Sequence, residues 1–333
     1  MEVSPSPRKL ELSACVILGG SGYVGHRWAC RLATRRRFDA IVLADLRAPA
    51  LPLPARAIFR LCDVRQPLAQ QLAVIKPEWL FNFAAVHREP GHERHDYFNT
   101  NLPGARNVCN YAEDVECNHI LFTSSIAVYG PTSGPCSESA PTHPISPYGI
   151  SKLAAELIHE GWRRTDKERR LVICRPGVVY GPGDPGNILR MIRAIKKGYF
   201  VFPGEKNLRK SYAYIEGLLD SFEFMMARKE AQLIYNYVER ETESLGALVR
   251  IAQEHFGKKV PTFTAPLLLL QMAAAVMQVL TAGRSPIHPT RVRKAATSTH
   301  IVPQTLSELG FQFPFDFRSS LLDWAAKAPV DFA

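Results

Sequence analysis

Short apolar runs set the rhythm of the first half of the chain. Ala14–Leu18, Ala40–Ala44, Ala57–Leu61, Trp79–Phe83, His119–Thr123 and Leu171–Cys174 are mostly hydrophobic, and helical spacing or turn residues separate them. Runs this short and this apolar describe strands covered on both faces. Strands alternating with helices build a doubly wound parallel sheet of the α/β class. Beyond Arg175 the alternation weakens. Helical patterns at Ile188–Lys197, Leu218–Arg228 and Leu245–Phe256, with a short strand at Ile234–Val238, predict a smaller C-terminal lobe interleaved with the last elements of the sheet. The expected division is residues 13–178 for the sheet domain, joined by about 212–240, with 179–211 and 241–330 in the lobe. Gly130–Pro147 is rich in Pro, Ser and Thr and reads as a loop over the strand ends. Ala265–Ala282 approaches the length of a membrane span, but Pro266, Gln271 and Gln278 interrupt it, so a buried core helix or an interfacial helix is expected.

The chemistry begins where the first strand ends. Gly19, Gly22 and Gly25 fall between that strand and a helical pattern, the spacing of a tight turn whose backbone, including Tyr23 and Val24, approaches a pyrophosphate at a helix N-terminus. The second strand ends in Asp45, about 20 residues after the last of these glycines, where a carboxylate meets an adenosine ribose. The pair predicts a Rossmann-type dinucleotide site. Asp45 repels a 2′-phosphate, so NAD is expected over NADP, with Arg47 close enough to temper the preference.

Tyr148 and Lys152 are four residues apart, which places both side chains on one helical face. At an effective dielectric of about 20, a cation about 4 Å from a phenol is worth about 4 kcal/mol, enough to bring its pKa down by ~3. Tyr148 is thus expected to act as a base near neutral pH. The chain has 11 Tyr, so the spacing alone proves little. The fifth strand, however, ends in Ser124-Ser125, and strand ends in such sheets face the ligand crevice. Ser125 and the Tyr148 helix converge there.

Composition narrows the setting. The 333 residues suffice for a large core, and the formal net charge of +10 favours anionic partners, among them nucleotides, diphosphates, nucleic acid or a membrane surface. Seven cysteines without a Cys-x-x-Cys pair, and a first apolar run too short for a secretory signal, point to an unexported chain in a reducing cytoplasm. His87, His92 and His95 lack the fixed spacing of a metal site, so no metal is expected.

These motifs, with Asp63-Val64, Phe83-Ala84-Ala85, Asn101-Leu-Pro-Gly104, Ser124–Gly130 and Arg175–Pro182, resemble the extended short-chain dehydrogenase/reductases, in particular the NAD-dependent sugar epimerase/dehydratase family. The resemblance covers nearly the whole chain. Ala85–Glu89, Gly186–Ile188, Lys210–Ile215, Tyr235–Val238 and Arg291–Lys294 are similar to bacterial O-antigen epimerases that interconvert N-acetylglucosamine and N-acetylgalactosamine on undecaprenyl diphosphate.

The resemblance implies that Tyr148 takes the proton of a sugar 4-hydroxyl, that Ser125 holds the same oxygen, and that Lys152 binds the nicotinamide ribose. Hydride transfer to NAD and back would then pass through a 4-ketone. It also implies that Asp63 and Val64 meet the adenine, Phe83, Ala84 and Ala85 the cofactor's centre, and Asn101 and Pro176 its nicotinamide side. His87, Arg88, Asn187, Lys210, Arg291 and Arg293 border the substrate, and a homodimer is expected.

Two departures refine this. Where relatives acting on UDP-sugars carry a phosphate-binding Asn, this chain has Val178, which fits a lipid-linked diphosphate. Where dehydratases carry Asp-Glu after the catalytic hydroxyl, it has Ile126-Ala127, which opposes dehydration. A UDP-sugar 4-epimerase and a 4-keto-sugar reductase use the same three residues and stay open. A non-catalytic NAD-binding protein leaves them without purpose, and nucleic acid is not an expected partner. Basic residues flanking Ala265–Ala282 suit an anionic leaflet, so peripheral attachment to the inner face of the cytoplasmic membrane is expected.

Overall fold

The computed structural model describes residues 13–72, 76–132, 134–184, 186–198, 200–259, 261–282 and 288–333. Its elements run β1 (Ala14–Leu18), α1 (Tyr23–Thr34), β2 (Ala40–Asp45), β3 (Ala57–Leu61), β4 (Trp79–Asn82), α2 (Arg94–Asp114), β5 (His119–Thr123), α3 (Pro147–Arg164), β6 (Arg170–Pro176), β7 (Val178–Tyr180) and α4 (Asn187–Lys196). They continue through β8 (Phe200–Pro203), β9 (Tyr212–Tyr214), α5 (Ile215–Met226), β10 (Gln232–Tyr237), α6 (Leu245–His255), β11 (Thr262–Ala265), α7 (Leu267–Leu280), α8 (Pro289–Ala295), α9 (Gln304–Glu308) and α10 (Phe317–Lys327).

Seven strands form one parallel sheet in the order β10-β6-β5-β4-β1-β2-β3. Alternate residues of each central strand feed opposite cores. Cys15 and Ile17 of β1 join Trp28, Phe81 and Phe222 on one face, while Val16 and Leu18 join Val108, Tyr111 and Ile120 on the other. This two-sided burial is why the strands read as unbroken apolar runs. β10 forms the edge of the sheet beside β6. Two small parallel pairs, β7 with β9 and β8 with β11, lie outside the main sheet.

The longest helix was illegible beforehand. α2 carries Pro103 in its interior, a residue that ordinarily breaks a helix, and its start is secured by a capping box between Glu93 and Asp96. Gly104 lets it close on the turn after β3, since a Cβ there would lie 3.1 Å from Val64 Cγ2.

The apolar segment near residue 270 forms α7, but among its residues only Ala274 is buried. The reading of an ordinary core helix is therefore corrected: no second layer covers its outer side among the described residues. Nor is any described helix long and apolar enough to cross a membrane.

Candidate active site

Helix α3 begins with Ser146 as N-cap, its hydroxyl accepting from the Gly149 amide at 3.1 Å, and with Pro147 in its first turn. Tyr148 therefore emerges at the helix start and Lys152 one turn on. Ser125 follows β5 and accepts from the Ala127 amide at 3.1 Å, and its hydroxyl lies near enough to the Tyr148 hydroxyl to favour the ionised phenol. Ser125 and Tyr148 come together, and Lys152 lies one turn along the same helix from Tyr148.

Their electrostatics differ from the expectation. Burial pushes Tyr148 up to about 12; the Ser125 bond opposes this, while the charges of Glu89 and Tyr97 add to it. Lys152, only 2% exposed, is driven down to about 7 by burial, with Glu156 pulling the other way. The sequence reading that Lys152 by itself holds Tyr148 near neutrality is thus corrected, because the burial that raises the phenol also discharges the lysine. What the protein supplies is a cation that titrates near neutral pH and a serine donor.

Several residues that support this site were not found from the sequence. The Lys152 ammonium lies 4.2 Å from the centroid of the Phe122 ring, and His159 stacks on Phe122 at 4.3 Å. His159 is wholly buried, with Nδ1 2.7 Å from the Ala155 carbonyl and Nε2 3.2 Å from the Asn82 amide. A carbonyl facing Nδ1 requires the proton there, so Nε2 accepts from Asn82. Glu156, Arg175, Tyr129 and Asn236 form a buried network beneath α3. Tyr97 stands 6.3 Å from Tyr148 ring to ring and donates to the Arg88 carbonyl at 2.5 Å. The available signal was helical spacing: Lys152, Glu156 and His159 recur every three or four residues on one face of α3.

The glycine turn has the shape a pyrophosphate needs. Gly19 has φ of +78°, and a Cβ on it would lie 2.7 Å from the Ala84 amide nitrogen; one on Gly25 would lie 2.3 Å from the Gly19 carbonyl oxygen. Gly22 caps α1 without a side-chain bond and the first turn carries no acid, so the leading amides of Tyr23, Val24 and Gly25 point outward. Asp45 closes the turn, its carboxylate accepting from Ser21 N at 3.0 Å and Leu46 N at 2.7 Å. The hydroxyls of Ser21, Tyr23 and Ser124 are buried and unpartnered among the described residues. Orphaned donors along a glycine-lined crevice fit a dinucleotide.

The remaining predicted residues fall into distinct positions. Phe83 stacks on Phe222 at 5.5 Å, and its neighbours Ala84 and Ala85 run beside Gly19 at the crevice. Pro176 ends β6, buried, in register with Tyr237 of β10. Asp63 is held well below the usual carboxylate range by a two-pronged bond from Arg65, and Val64 gives its carbonyl to Asn107. Asn101 is buried, with its amide bonded to both backbone groups of Val86 and to Ser151, which in turn donates to the Tyr148 carbonyl at 2.8 Å.

His87 and Arg88 are exposed on the loop after β4, and His87 is held below its ordinary value by its crowded surroundings and by the charges of Arg88 and Lys152. Burial pushes Asp184 up to about 6, with the charges of Arg190 and Arg88 among the effects opposing the rise. Asn187 opens α4 and is exposed. Lys210 is the outlier: its ammonium donates to the carbonyls of Lys294 and Thr297, so two of its three donors cap α8. Arg291 and Arg293 lie on α8, which an ion pair from Lys294 to Glu89 ties to the loop bearing His87. His92 and His95 flank Asp96 at 3.8 and 3.4 Å. All seven cysteines are unpaired. A separate cavity of about 550 Å³ is lined by residues that include Arg240, Arg250, Phe315 and Arg318, and by none of these site residues.

A parallel sheet with a glycine turn at β1 and a Ser, Tyr and Lys set over β5 defines a nicotinamide-dependent enzyme of the short-chain dehydrogenase/reductase class. Residues 15–237 match the NAD dependent epimerase/dehydratase family, and the chain belongs to it. It is an NAD-dependent enzyme of the sugar-epimerising isomerase type. Among curated relatives it is 27% identical over 315 residues to N-acetyl-alpha-D-glucosaminyl-diphospho-ditrans,octacis-undecaprenol 4-epimerase of Escherichia coli O157:H7, covering 92% of each chain. It is 25% identical over 296 residues to UDP-glucose 4-epimerase 2 of Oryza sativa subsp. japonica, covering 75% of this chain and 71% of that one. The fold is shared with the Bordetella bronchiseptica enzyme WbmG, solved with NAD and UDP, at a TM-score of 0.74 and 20% identity over 96% of this chain and 97% of that one.

Proposed function

We propose that this enzyme is a 4-epimerase of an N-acetylhexosamine carried on polyprenyl diphosphate, interconverting the gluco and galacto forms during surface-polysaccharide assembly. The neighbouring Ser125 and Tyr148 hydroxyls, with buried Lys152 one helical turn from Tyr148, support the reaction type. Similarity to the undecaprenol-linked epimerase over 92% of both chains supports the carrier. So does Val178, which is 43% exposed and offers no hydrogen bond to a nucleotide phosphate.

The residues divide the work. Tyr148 Oη takes the proton from the sugar 4-hydroxyl and later gives it back, while Ser125 Oγ donates to the same sugar oxygen and fixes its position. Lys152 would bind the nicotinamide ribose and, when protonated, would stabilise the phenolate. The amides of Tyr23, Val24 and Gly25 would hold the pyrophosphate, and Asp45 would accept from the adenosine ribose, which favours NAD. Bound NAD supplies the hydride acceptor at sugar C4 and the donor for its return. Ile126 and Ala127, directly after Ser125, provide no acid or base for eliminating water.

The test offers the purified enzyme polyprenyl-diphospho-N-acetylglucosamine and UDP-N-acetylglucosamine side by side. Turnover of the lipid-linked sugar is expected. Turnover of the UDP-sugar alone would overturn the carrier and leave the reaction type standing.

A further inference from the structure

Helix α7 is built inside out. Leu267, Leu270, Gln271, Ala274 and Gln278 recur at helical spacing and are the less exposed positions, so both glutamines sit on the side toward the protein. The opposite side is apolar and open: Leu268, Leu269, Met272, Val276, Val279 and Leu280 are all more than half exposed, Val279 at 80%. A surface helix ordinarily presents the reverse arrangement. The strand leading into it continues the patch, since Phe263 of β11 pairs in register with Val201 of β8 and both are exposed.

Charge selects what covers this face. From residue 255 to residue 307 the chain has no Asp or Glu and six Lys or Arg. Lys258, Lys259 and Arg293 are exposed beside it. A second copy of this surface would bring like charge against like charge, whereas an anionic bilayer meets apolar side chains and cations together. The 14 residues of α7 extend about 21 Å, short of the ~30 Å hydrocarbon layer, so the helix suits the interface plane and not a crossing.

We propose that the outward face of α7, with Phe263 and Val201, is a docking surface that lies in the headgroup region of an anionic lipid bilayer. α8 packs on α7, and through Lys294 with Glu89 and through the Lys210 ammonium it also braces the wall of the crevice. Docking therefore sets the crevice close to the membrane surface. The proposal stands on α7 itself and does not depend on which sugar carrier the enzyme uses.

Flotation of the full-length protein with vesicles of phosphatidylglycerol and phosphatidylethanolamine tests it, with phosphatidylcholine vesicles as control. The wild type is expected to float with the anionic vesicles at low salt and to release as salt rises. The double variant Met272→Glu, Val276→Glu is expected to lose at least about tenfold in vesicle binding while keeping its melting temperature and NAD affinity. Absence of flotation at low salt, or flotation undiminished in the double variant, would overturn the proposal. So would a dimer in sedimentation that the same two substitutions dissociate, which would assign the face to a second copy. Epimerase activity measured on detergent-dispersed substrate separates either failure from a wrong functional assignment.

Discussion

Arg175 of β6 and Glu156 of α3 are joined by two parallel hydrogen bonds, Nε to Oε1 at 2.9 Å and Nη2 to Oε2 at 2.6 Å, with both side chains sealed from solvent. The pair raises the guanidinium pKa further and couples the catalytic helix to the central sheet. Because Glu156 lies one turn beyond Lys152, the ion pair also settles where the lysine stands. Removing one partner leaves the other charge buried alone. Glu156→Ala is expected to cost about 3–5 kcal/mol in urea or thermal unfolding, and Glu156→Leu with Arg175→Met to recover much of that loss. A loss below 1 kcal/mol for the single variant, by the ~1 kcal/mol ceiling of exposed pairs, would show that the bridge is solvated.

The buried imidazole of His159 predicts a pH dependence of stability. Burial lowers its pKa from 6.5 to about 4, with the Ala155 carbonyl opposing and the Lys152 charge assisting. The unfolded chain takes up a proton as pH falls below 6.5, and the folded chain does not until about 4, so the contribution is complete above 6.5 and is lost across that window. The loss should approach roughly 3 kcal/mol. His159→Gln should flatten the stability profile between these pH values, which chemical denaturation at stepped pH will read.

Space at the glycine turn gives a third test. Gly25 lies inside α1 with an ordinary helical backbone, so alanine there costs nothing in conformation, yet its Cβ would stand 2.3 Å from the Gly19 carbonyl oxygen. The turn must open. Gly25→Ala is expected to lose about 2 kcal/mol or more of stability and nearly all NAD binding, measured by calorimetry on the same preparation.

Proton transfer is tested at Tyr148. Tyr148→Phe keeps the ring against Tyr97 but removes the hydroxyl that Ser125 contacts, so epimerisation should fall by about 10³ or more while NAD stays bound. Substantial activity in this variant would exclude the hydroxyl as the base.

Cofactor choice is tested at Asp45. Its carboxylate ends β2 and braces the glycine turn through Ser21 N, so Asp45→Asn should retain the brace while removing the charge that repels a 2′-phosphate. The ratio of NAD to NADP affinity is expected to fall by about tenfold.

Much of this was written in the linear pattern. Continuous apolar runs announced strands buried on both faces, as β1 and β5 are; β3 also occupies the residues its run delimits, but it lies at the sheet edge with Ile58 and Leu61 exposed. Spacing alone brought Tyr148 and Lys152 onto one face, and the glycines placed a turn where β1 meets α1. α2 was obscured by Pro103, whose local preference loses to a capped helix packed along the sheet.

What the sequence by itself determined was the sheet, the glycine turn and the residue types of the candidate site, because each depends on local periodicity or on residue type. Tertiary structure alone decided the charge balance and the faces. Lys152 and Tyr148 take their pKa values from burial beneath α2, Phe122 and the loop after β4, and no spacing rule carries the depth of a side chain. In α7 nearly every position is apolar, so periodicity could not say which side turns inward. Packing turned the side with Leu267, Leu270, Gln271, Ala274 and Gln278 toward the protein, and left Leu268, Leu269, Met272, Val276, Val279 and Leu280 facing out.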